Sequence, residues 1–136
     1  LALPSETIRA NEDFLQRQSG DDHVFCAQIK DQPHVVGMAS IHVKSLPRSR
    51  HSAELGIMVH PNYFSQGIGS ALMNTLMDLA DNWLMLTRIE LTVYPDNTKA
   101  IKLYEKFGFV TEGVMKYASI RHGTYADILM MARYRV

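Results

Sequence analysis

The sequence lacks a second cysteine, an excess of either charge and any long apolar run. Its single cysteine, Cys26, can form no internal disulfide, so we expect a reduced, buried thiol in the apolar run from Val24 to Ala27. Fourteen basic residues balance fourteen acidic ones, which gives no argument for binding to nucleic acid or to an anionic membrane. No stretch approaches the roughly 18 apolar residues of a spanning helix. We therefore expect a cytoplasmic protein that works on small molecules.

Metal-binding spacing is also lacking among the six histidines. His51 and His60 flank a predicted strand but lie nine residues apart, with no HxxxH pattern and no cysteine beside them. They are interpreted as loop residues, and the sequence predicts no metal site.

The length of 136 residues suits a single domain with one core, and we expect residues 1–136 to form it. The first residue is Leu1 and not a methionine, which leaves open whether a strand or helix precedes it.

Apolar periodicity and turn residues predict an alternation of helices and strands. In chain order the predicted elements are a helix from Ser5 to Gly20, a hairpin of strands at 23–29 and 34–43, a polar loop at 44–52, a strand at 53–59, a helix from Ile68, a strand at 88–94, a short helix capped at Asp96 or Asn97 and stopped by Gly108, and a hairpin of 110–120 with 124–134.

The helix that begins at Ile68 has a regular apolar face, formed by Ile68, Leu72, Leu76, Leu79 and Trp83. Their steps of four, four, three and four residues are the spacing of one helical face, so we expect all five to pack on a sheet. A strand on each side of this helix predicts a parallel pair with a right-handed crossover. In open α/β sheets ligands bind at the edge where such strands end.

The turn between the first of these strands and the helix contains Gly67 and Gly69. Without Cβ atoms there, a phosphate can approach the main chain, and the amides of the first helical turn carry the positive end of the helix dipole. No lysine follows the second glycine, so the segment is not a GxxxxGK[ST] nucleotide loop, and it is one residue short of GxGxxG. Taken alone, this segment is equally an ordinary tight turn.

Two motifs taken together, SQGIGSAL and NTKAIKLYEKFGF, resemble the GNAT superfamily of acyl-CoA N-acetyltransferases. The family pattern NxxAxxLYxxxGF is matched in full, at Asn97, Ala100, Leu103, Tyr104, Gly108 and Phe109. The pattern [QR]xxGx[GA] is matched except at its first position, where Phe64 replaces arginine or glutamine. The resemblance covers roughly Val24 to Val136, and the tail from Lys116 is similar to the bacterial branch that acetylates the α-amino group of free amino acids.

The resemblance implies an α/β GNAT fold, in which a mixed, mostly antiparallel sheet has a splayed parallel central strand pair and flanking helices. It also implies acetyl-CoA as cosubstrate, with no metal. The family binds this cosubstrate through the main chain of the first central strand, the amides of the glycine turn and one asparagine. The corresponding residues here are Ile57, Met58, Val59, Ser65, Gln66, Gly67, Ile68, Gly69, Ser70 and Asn97.

The resemblance places the general acid at Tyr104, although a tyrosine at this helical spacing is also typical of a core. A phenol stays protonated at neutral pH and is a reasonable proton donor to a thiolate. The carboxylate nearest the cofactor strand is Glu54, which is either a base facing the acceptor or a solvated charge. Glu90 and Thr92 on the neighbouring strand are alternatives.

The resemblance implies an N-acetyltransferase that moves an acetyl group from acetyl-CoA directly to a primary amine in a ternary complex. Deprotonation at pH 7 costs about 1 kcal/mol for an α-amine and about 4.6 kcal/mol for a lysine-like amine. Because a weak base suffices for the first, we expect the acceptor to be the α-amino group of a free amino acid. A protein N-terminus or a polyamine is the alternative acceptor, and a non-catalytic acyl-CoA-binding module is the alternative class. The family also implies a homodimer, for which the apolar C-terminal strand offers a surface.

Overall fold

The structure is a computed structural model that describes residues 6–10, 21–29, 31–64 and 67–136, the first of these ranges by its backbone. The chain forms two compact units, Leu1–Leu86 and Thr87–Val136. Each is described by itself.

The first unit contains an antiparallel sheet. Its strands are β1 (Glu6–Ala10), β2 (Asp22–Ile29), β3 (Val35–Val43) and β4 (Ser52–Val59), and each pairs with the next along the chain. The predicted hairpin of the second and third strands is confirmed. The polar loop before β4 contains a short 3-10 turn at Pro47–Ser49, and a second one, Pro61–Tyr63, follows β4.

The predicted helix at Ser5–Gly20 is wrong where the structure describes it. Glu6 pairs with Ile29 of β2, and Ala10 pairs with Phe25. Two of the five residues of β1, Thr7 and Ile8, are β-branched, and pairing with β2 outweighs the local serine and glutamate pattern that suggested a helix start. Ser5 and residues 11–20 lie outside the described residues.

The strand β4 alternates between a buried and an exposed face. Ala53 and Leu55 are buried, whereas Glu54, Gly56 and Met58 are exposed. Because strand side chains point to opposite faces in turn, these three residues share one face.

The helix α1 (Ile68–Asp78) packs on β3 at Gly37. A Cβ atom at Gly37 would lie 3.1 Å from both Ile68 Cγ2 and Leu72 Cδ1, and 3.2 Å from the Met58 carbonyl oxygen. Ile68, Leu72 and Leu76 are fully buried, which confirms that part of the predicted helical face. The missing side chain at Gly37 therefore sets how closely the start of α1 approaches the sheet.

The end of the predicted helix is wrong at Trp83, which is 75% exposed. A π-helical turn, Leu79–Trp83, follows α1, and the Leu84 N–H donates to the Leu79 carbonyl oxygen at 2.9 Å. This wider turn holds one residue more than an α-helical turn, so it shifts the phase of the apolar face. Ala80 is buried, and Trp83 turns outward.

The second unit contains β5 (Arg88–Val93), α2 (Thr98–Lys106), β6 (Val110–Arg121) and β7 (Thr124–Tyr134). The strand β7 lies between β5 and β6 and is antiparallel to both. His122 and Gly123 have positive φ angles in the turn of the last hairpin, as the predicted turn requires. Gly108, the predicted helix stop, also has a positive φ of 93°.

A side-chain cluster ties the three strands of the second unit together. The Arg88 guanidinium on β5 donates to both carboxylate oxygens of Glu112 on β6, at 2.9 and 2.6 Å, and its Nε donates to Glu90 at 3.0 Å. The Tyr134 hydroxyl on β7 donates to Glu112 as well. These contacts lower the pKa of Glu112 to about 2, chiefly through the hydrogen bonds from Arg88 and then the one from Tyr134.

Two expectations from composition concern the single cysteine and membrane-spanning helices. Cys26 is a free thiol that is partly buried, and this burial raises its pKa. Within the described ranges, no helix has the length and apolar character needed to span a membrane.

Candidate active site

The glycine turn at the start of α1 has the geometry of an anion site. Gly67 is the N-cap, with a left-handed φ of 81°, and having no side chain it cannot accept a hydrogen bond from the first-turn amides. The first intrahelical hydrogen bond runs from the Ala71 N–H to the Gly67 carbonyl oxygen at 3.0 Å. The amides of Ile68, Gly69 and Ser70 precede it, and the first turn carries no acidic residue.

This geometry fits a diphosphate. A Cβ atom at Gly67 would be strained at that φ, and no carboxylate in the first helical turn repels an anion. Ser65 and Gln66, also predicted to bind the cosubstrate, lie outside the described residues.

The predicted pantetheine-binding residues Ile57, Met58 and Val59 form the end of β4. Ile57 pairs with Ala39 and Val59 with Gly37, and the His60 N–H donates to the Val36 carbonyl oxygen at 2.8 Å. Met58 is 68% exposed. These three residues therefore lie on one strand, paired with β3, in the unit that holds the glycine turn.

A groove of about 510 Å³ lies on the β2–β3–β4 sheet. Its walls combine the end of the predicted cofactor strand with polar side chains of β2 and β3. They are Asp22, Val24, Met38, Ala39, Ser40, His42, Gly56, Ile57 and Met58.

Two of these groove residues, Asp22 and His42, were missed in the sequence. They face each other across the β2–β3 pair, and the His42 Nδ1 is hydrogen-bonded to the Asp22 carboxylate. The signal that finds them is the register of the β2–β3 hairpin. The separate register of β3 with β4 pairs His42 with Glu54. The hairpin was predicted, but its register depends on the turn and on a β-bulge after Ala27.

The carboxylates predicted as bases differ in their surroundings. Glu54 is exposed and in register with His42, but it is not among the side chains that line the groove. Glu90 accepts a hydrogen bond from Arg88 at 3.0 Å, so its carboxylate is already engaged in an ion pair. Thr92, the third alternative, is exposed on β5.

The predicted general acid, Tyr104, lies on α2 and is only 6% exposed. Its ring packs against Phe109, with ring centroids 5.9 Å apart. Burial disfavours the charged phenolate and raises the pKa of Tyr104 to about 12. The phenol is therefore neutral and able to donate a proton at any ordinary assay pH.

Asn97 is the N-cap of α2, as predicted. Its Oδ1 accepts a hydrogen bond from the Ala100 N–H at 3.3 Å. The cap holds the side chain in place and uses its oxygen, so the amide NH2 is the group that would contact a ligand.

No group of three or more His, Cys, Asp or Glu side chains among residues the structure describes is placed to hold a metal ion.

Comparison with known proteins relates both motifs to one family. The family model described as the acetyltransferase (GNAT) family matches residues 2–109. The L-amino acid N-acetyltransferase AaaT of Escherichia coli is 39% identical over 132 residues, covering 89% of this chain and 82% of that protein. The spermidine N(1)-acetyltransferase of Vibrio cholerae is 33% identical over 130 residues, covering 94% of this chain and 73% of that protein.

A solved structure agrees with this assignment. The crystal structure of an acetyltransferase of the GNAT family from Streptococcus pneumoniae has a TM-score of 0.80 and 30% sequence identity, covering 91% of this chain and 74% of that one. The predicted fold class is confirmed by this likeness. The parallel pairing of the strands ending at Val59 and Tyr94 stays a prediction.

Proposed function

This chain belongs to the GNAT family of acetyltransferases and is an acyl-CoA-dependent N-acetyltransferase, and we propose that its acceptor is the α-amino group of a free amino acid. The observation that carries this proposal is the 39% identity, over 82% of its length, to an L-amino acid N-acetyltransferase. A polyamine acceptor is the second candidate, favoured by the 33% identity to a spermidine N(1)-acetyltransferase.

We propose that acetyl-CoA binds through its diphosphate at the amides of the glycine turn, which include those of Gly67, Ile68 and Gly69. The bare N-cap with its positive φ and the absence of an acid in the first helical turn support this role. The main chain at the end of β4 and the Asn97 amide would hold the pantetheine arm. Acetyl-CoA supplies the acetyl group and a thiolate leaving group.

In the proposed reaction the neutral amine attacks the thioester carbonyl carbon directly, within a ternary complex. A carbon–nitrogen bond forms, the carbon–sulfur bond breaks, and the amine loses one proton. Tyr104 would donate a proton to the departing thiolate, as the family motif suggests, and its buried phenol holds that proton at neutral pH. Glu54, on the exposed face of β4, was the base suggested by the sequence.

Amine chemistry favours the α-amino group. Deprotonating an α-ammonium at pH 7 costs about 1 kcal/mol and deprotonating a lysine-like ammonium about 4.6 kcal/mol, so the first needs only a modest base. A buried carboxylate cluster of the kind that would hold a polycation is not found on the described groove walls, where Asp22 is the one acidic side chain.

The test is release of free thiol from acetyl-CoA in the presence of single amines. We expect turnover with one or more L-amino acids, and an N-acetylated product by mass spectrometry. Turnover with spermidine and with no amino acid would replace the first candidate by the second. A thermal shift with acetyl-CoA but no turnover with any amine or N-terminal peptide would contradict both and indicate a binding module.

We also propose that the protein is a cytoplasmic homodimer. The apolar side chains exposed on β6, among them Val114 and Ile120, support the dimer. The free, partly buried thiol of Cys26 is compatible with a reducing compartment.

A further inference from the structure

A row of three ionisable side chains crosses the exposed face of β2, β3 and β4. Asp22 on β2 pairs with His42 on β3. His42 in turn pairs with Glu54 on β4. Directly opposed residues on one face of a sheet have Cβ atoms about 4.5–5.5 Å apart, so the three side chains are neighbours. The central member is the histidine.

The hydrogen bond between Asp22 and His42 selects one tautomer of the neutral imidazole. An ionised carboxylate only accepts hydrogen bonds, so Nδ1 of His42 is the donor and carries the ring proton of the neutral form. The other nitrogen, Nε2, then holds a lone pair. Among the residues that the structure describes, none forms a hydrogen bond with Nε2.

His42 and Glu54 differ in their position relative to the groove. His42 and Asp22 line it together with Ile57 and Met58, the strand residues proposed to hold the pantetheine arm, whereas Glu54 is not part of its wall. The His42 side chain is 49% exposed and that of Asp22 is 23% exposed, so solutes reach the imidazole while the carboxylate behind it is more shielded.

We propose that His42 is the general base that removes the proton from the acceptor ammonium, and that Asp22 is its positioning residue. The ammonium proton passes to His42 Nε2, and the freed amine attacks the thioester carbon. As the carbon–nitrogen bond forms and the carbon–sulfur bond breaks, Tyr104 gives its proton to the departing thiolate, and the second proton lost by the nitrogen restores the Tyr104 phenol through solvent. His42 then returns its proton to solvent through the open groove. This inference rests on the proposed acetyl transfer and replaces Glu54 as the base.

Base strength supports the choice. An imidazole is a stronger base than a carboxylate by about two pKa units, which makes an imidazole about 100-fold less unfavourable as the proton acceptor from an ammonium. A general base works best when its own proton affinity lies near the operating pH, and a histidine held by a carboxylate is the recurring solution. The ordinary alternative is that Asp22 and His42 form a surface ion pair that only stabilises the sheet.

The experiment compares His42→Ala with wild-type protein, using the amino acid that the wild type acetylates. We expect kcat to fall about 100-fold, the size of a lost general base, with the acetyl-CoA thermal shift retained. Added imidazole should raise the kcat of His42→Ala at least about tenfold. It would not do so if the role of His42 were merely structural. Asp22→Asn should lower kcat with little change in KM, and Asp22→Glu should recover part of it.

His23→Ala is the matched control, since His23 is the neighbouring histidine on β2, pairs with Ile41 and is not a groove residue. We expect it to leave kcat within about twofold. If His42→Ala does not fold by circular dichroism, His42→Gln replaces it, with the same expected loss of kcat.

Two outcomes overturn the inference and can be told apart. An active wild type whose His42 variants keep their kcat, or lose it without any rescue by imidazole, removes His42 as the base and leaves acetyl transfer standing. A wild type with no turnover on any amine removes the acetyl transfer and the base together.

Discussion

At the scale of single residues, Tyr104 is the general acid that we propose. The family motif predicted it, and the structure buries it against Phe109. We expect Tyr104→Phe to lower kcat about 100-fold while the acetyl-CoA affinity stays within a few fold, because the substitution removes only the donated proton. A thiol-release assay would measure kcat, and isothermal titration calorimetry would measure the acetyl-CoA affinity. Unchanged kcat would remove Tyr104 from the mechanism.

Burial of Tyr104 also predicts a dependence of stability on alkaline pH. Its pKa is raised from 10.0 to about 12, so between these values the folded state binds more protons than the unfolded state. The free energy of unfolding therefore falls as pH rises from about 10 to about 12, by about 2 kcal/mol. Urea titrations of wild type and Tyr104→Phe would test this. The slope should flatten in the variant, and equal slopes would contradict the expectation.

Residue roles were predictable where a linear motif carries them. Asn97 caps α2, and Gly108 takes a positive φ at its end, as their spacing suggested. His42 and Asp22 were not predictable in this way, because they meet only through the register of a hairpin that contains a β-bulge. The pattern of a single strand cannot show a pair that is formed between two strands.

At the scale of secondary-structure elements, the packing of α1 on β3 depends on Gly37. We expect Gly37→Ala to destabilise the protein by about 1–3 kcal/mol, since its Cβ would crowd Ile68 and Leu72 at 3.1 Å. It should also weaken acetyl-CoA binding, because the displaced helix carries the glycine turn. Urea unfolding and titration calorimetry would measure both effects.

Gly113→Ala on β6 is the matched control for this change, since a Cβ there would meet no heavy atom within 4 Å. We expect it to alter the free energy of unfolding by less than about 1 kcal/mol and to leave acetyl-CoA binding unchanged. If the two alanine variants behaved alike, close approach of α1 at Gly37 would not be the reason for the glycine.

The cluster that joins β5, β6 and β7 predicts a dependence on acidic pH. Arg88 and then Tyr134 lower the pKa of Glu112 from 4.5 to about 2, so below pH 4.5 the unfolded state binds more protons than the folded state. The stability that Glu112 contributes is present above pH 4.5 and is lost as pH falls toward 2. In Glu112→Gln the acid limb of thermal melts should be shallower. An acid limb identical to that of the wild type would show that other carboxylates control it.

Element type followed from periodicity, and the two errors have separate physical causes. β1 has five residues, too few for a pattern to appear, and pairing with β2 determines its conformation. The helix over residues 68–78 was predicted by its regular apolar spacing. The π-helical turn after it was not, because no residue type marks a wider turn, and Trp83 was therefore assigned to the wrong face.

At the scale of the whole molecule, the proposed dimer predicts that a charge introduced on β6 lowers the molar mass of the protein in solution. The strand β6 is the outer strand of its sheet and exposes the large apolar side chains Val110, Val114, Tyr117 and Ile120. A long apolar edge strand is a typical site of association. We expect Val114→Glu to halve the molar mass measured by multi-angle light scattering, because a buried unpaired carboxylate is costly.

Asn74→Glu adds the same charge at an exposed position of α1 and should leave that mass unchanged. A monomeric wild type, or a Val114→Glu protein that keeps the dimer mass, would place the association elsewhere or remove it. The balanced net charge of the whole chain gave no guide to partners, and only local motifs pointed to a nucleotide cosubstrate.

The π-helical turn has a practical consequence for spectroscopy. The chain has a single tryptophan, and that turn leaves its indole 75% in water. Its emission maximum should therefore change little on denaturation, and iodide should quench it in the native protein. An investigator who followed only this fluorophore would record an almost flat signal while the hydrophobic interior opened, so circular dichroism is the appropriate probe of the melting curves.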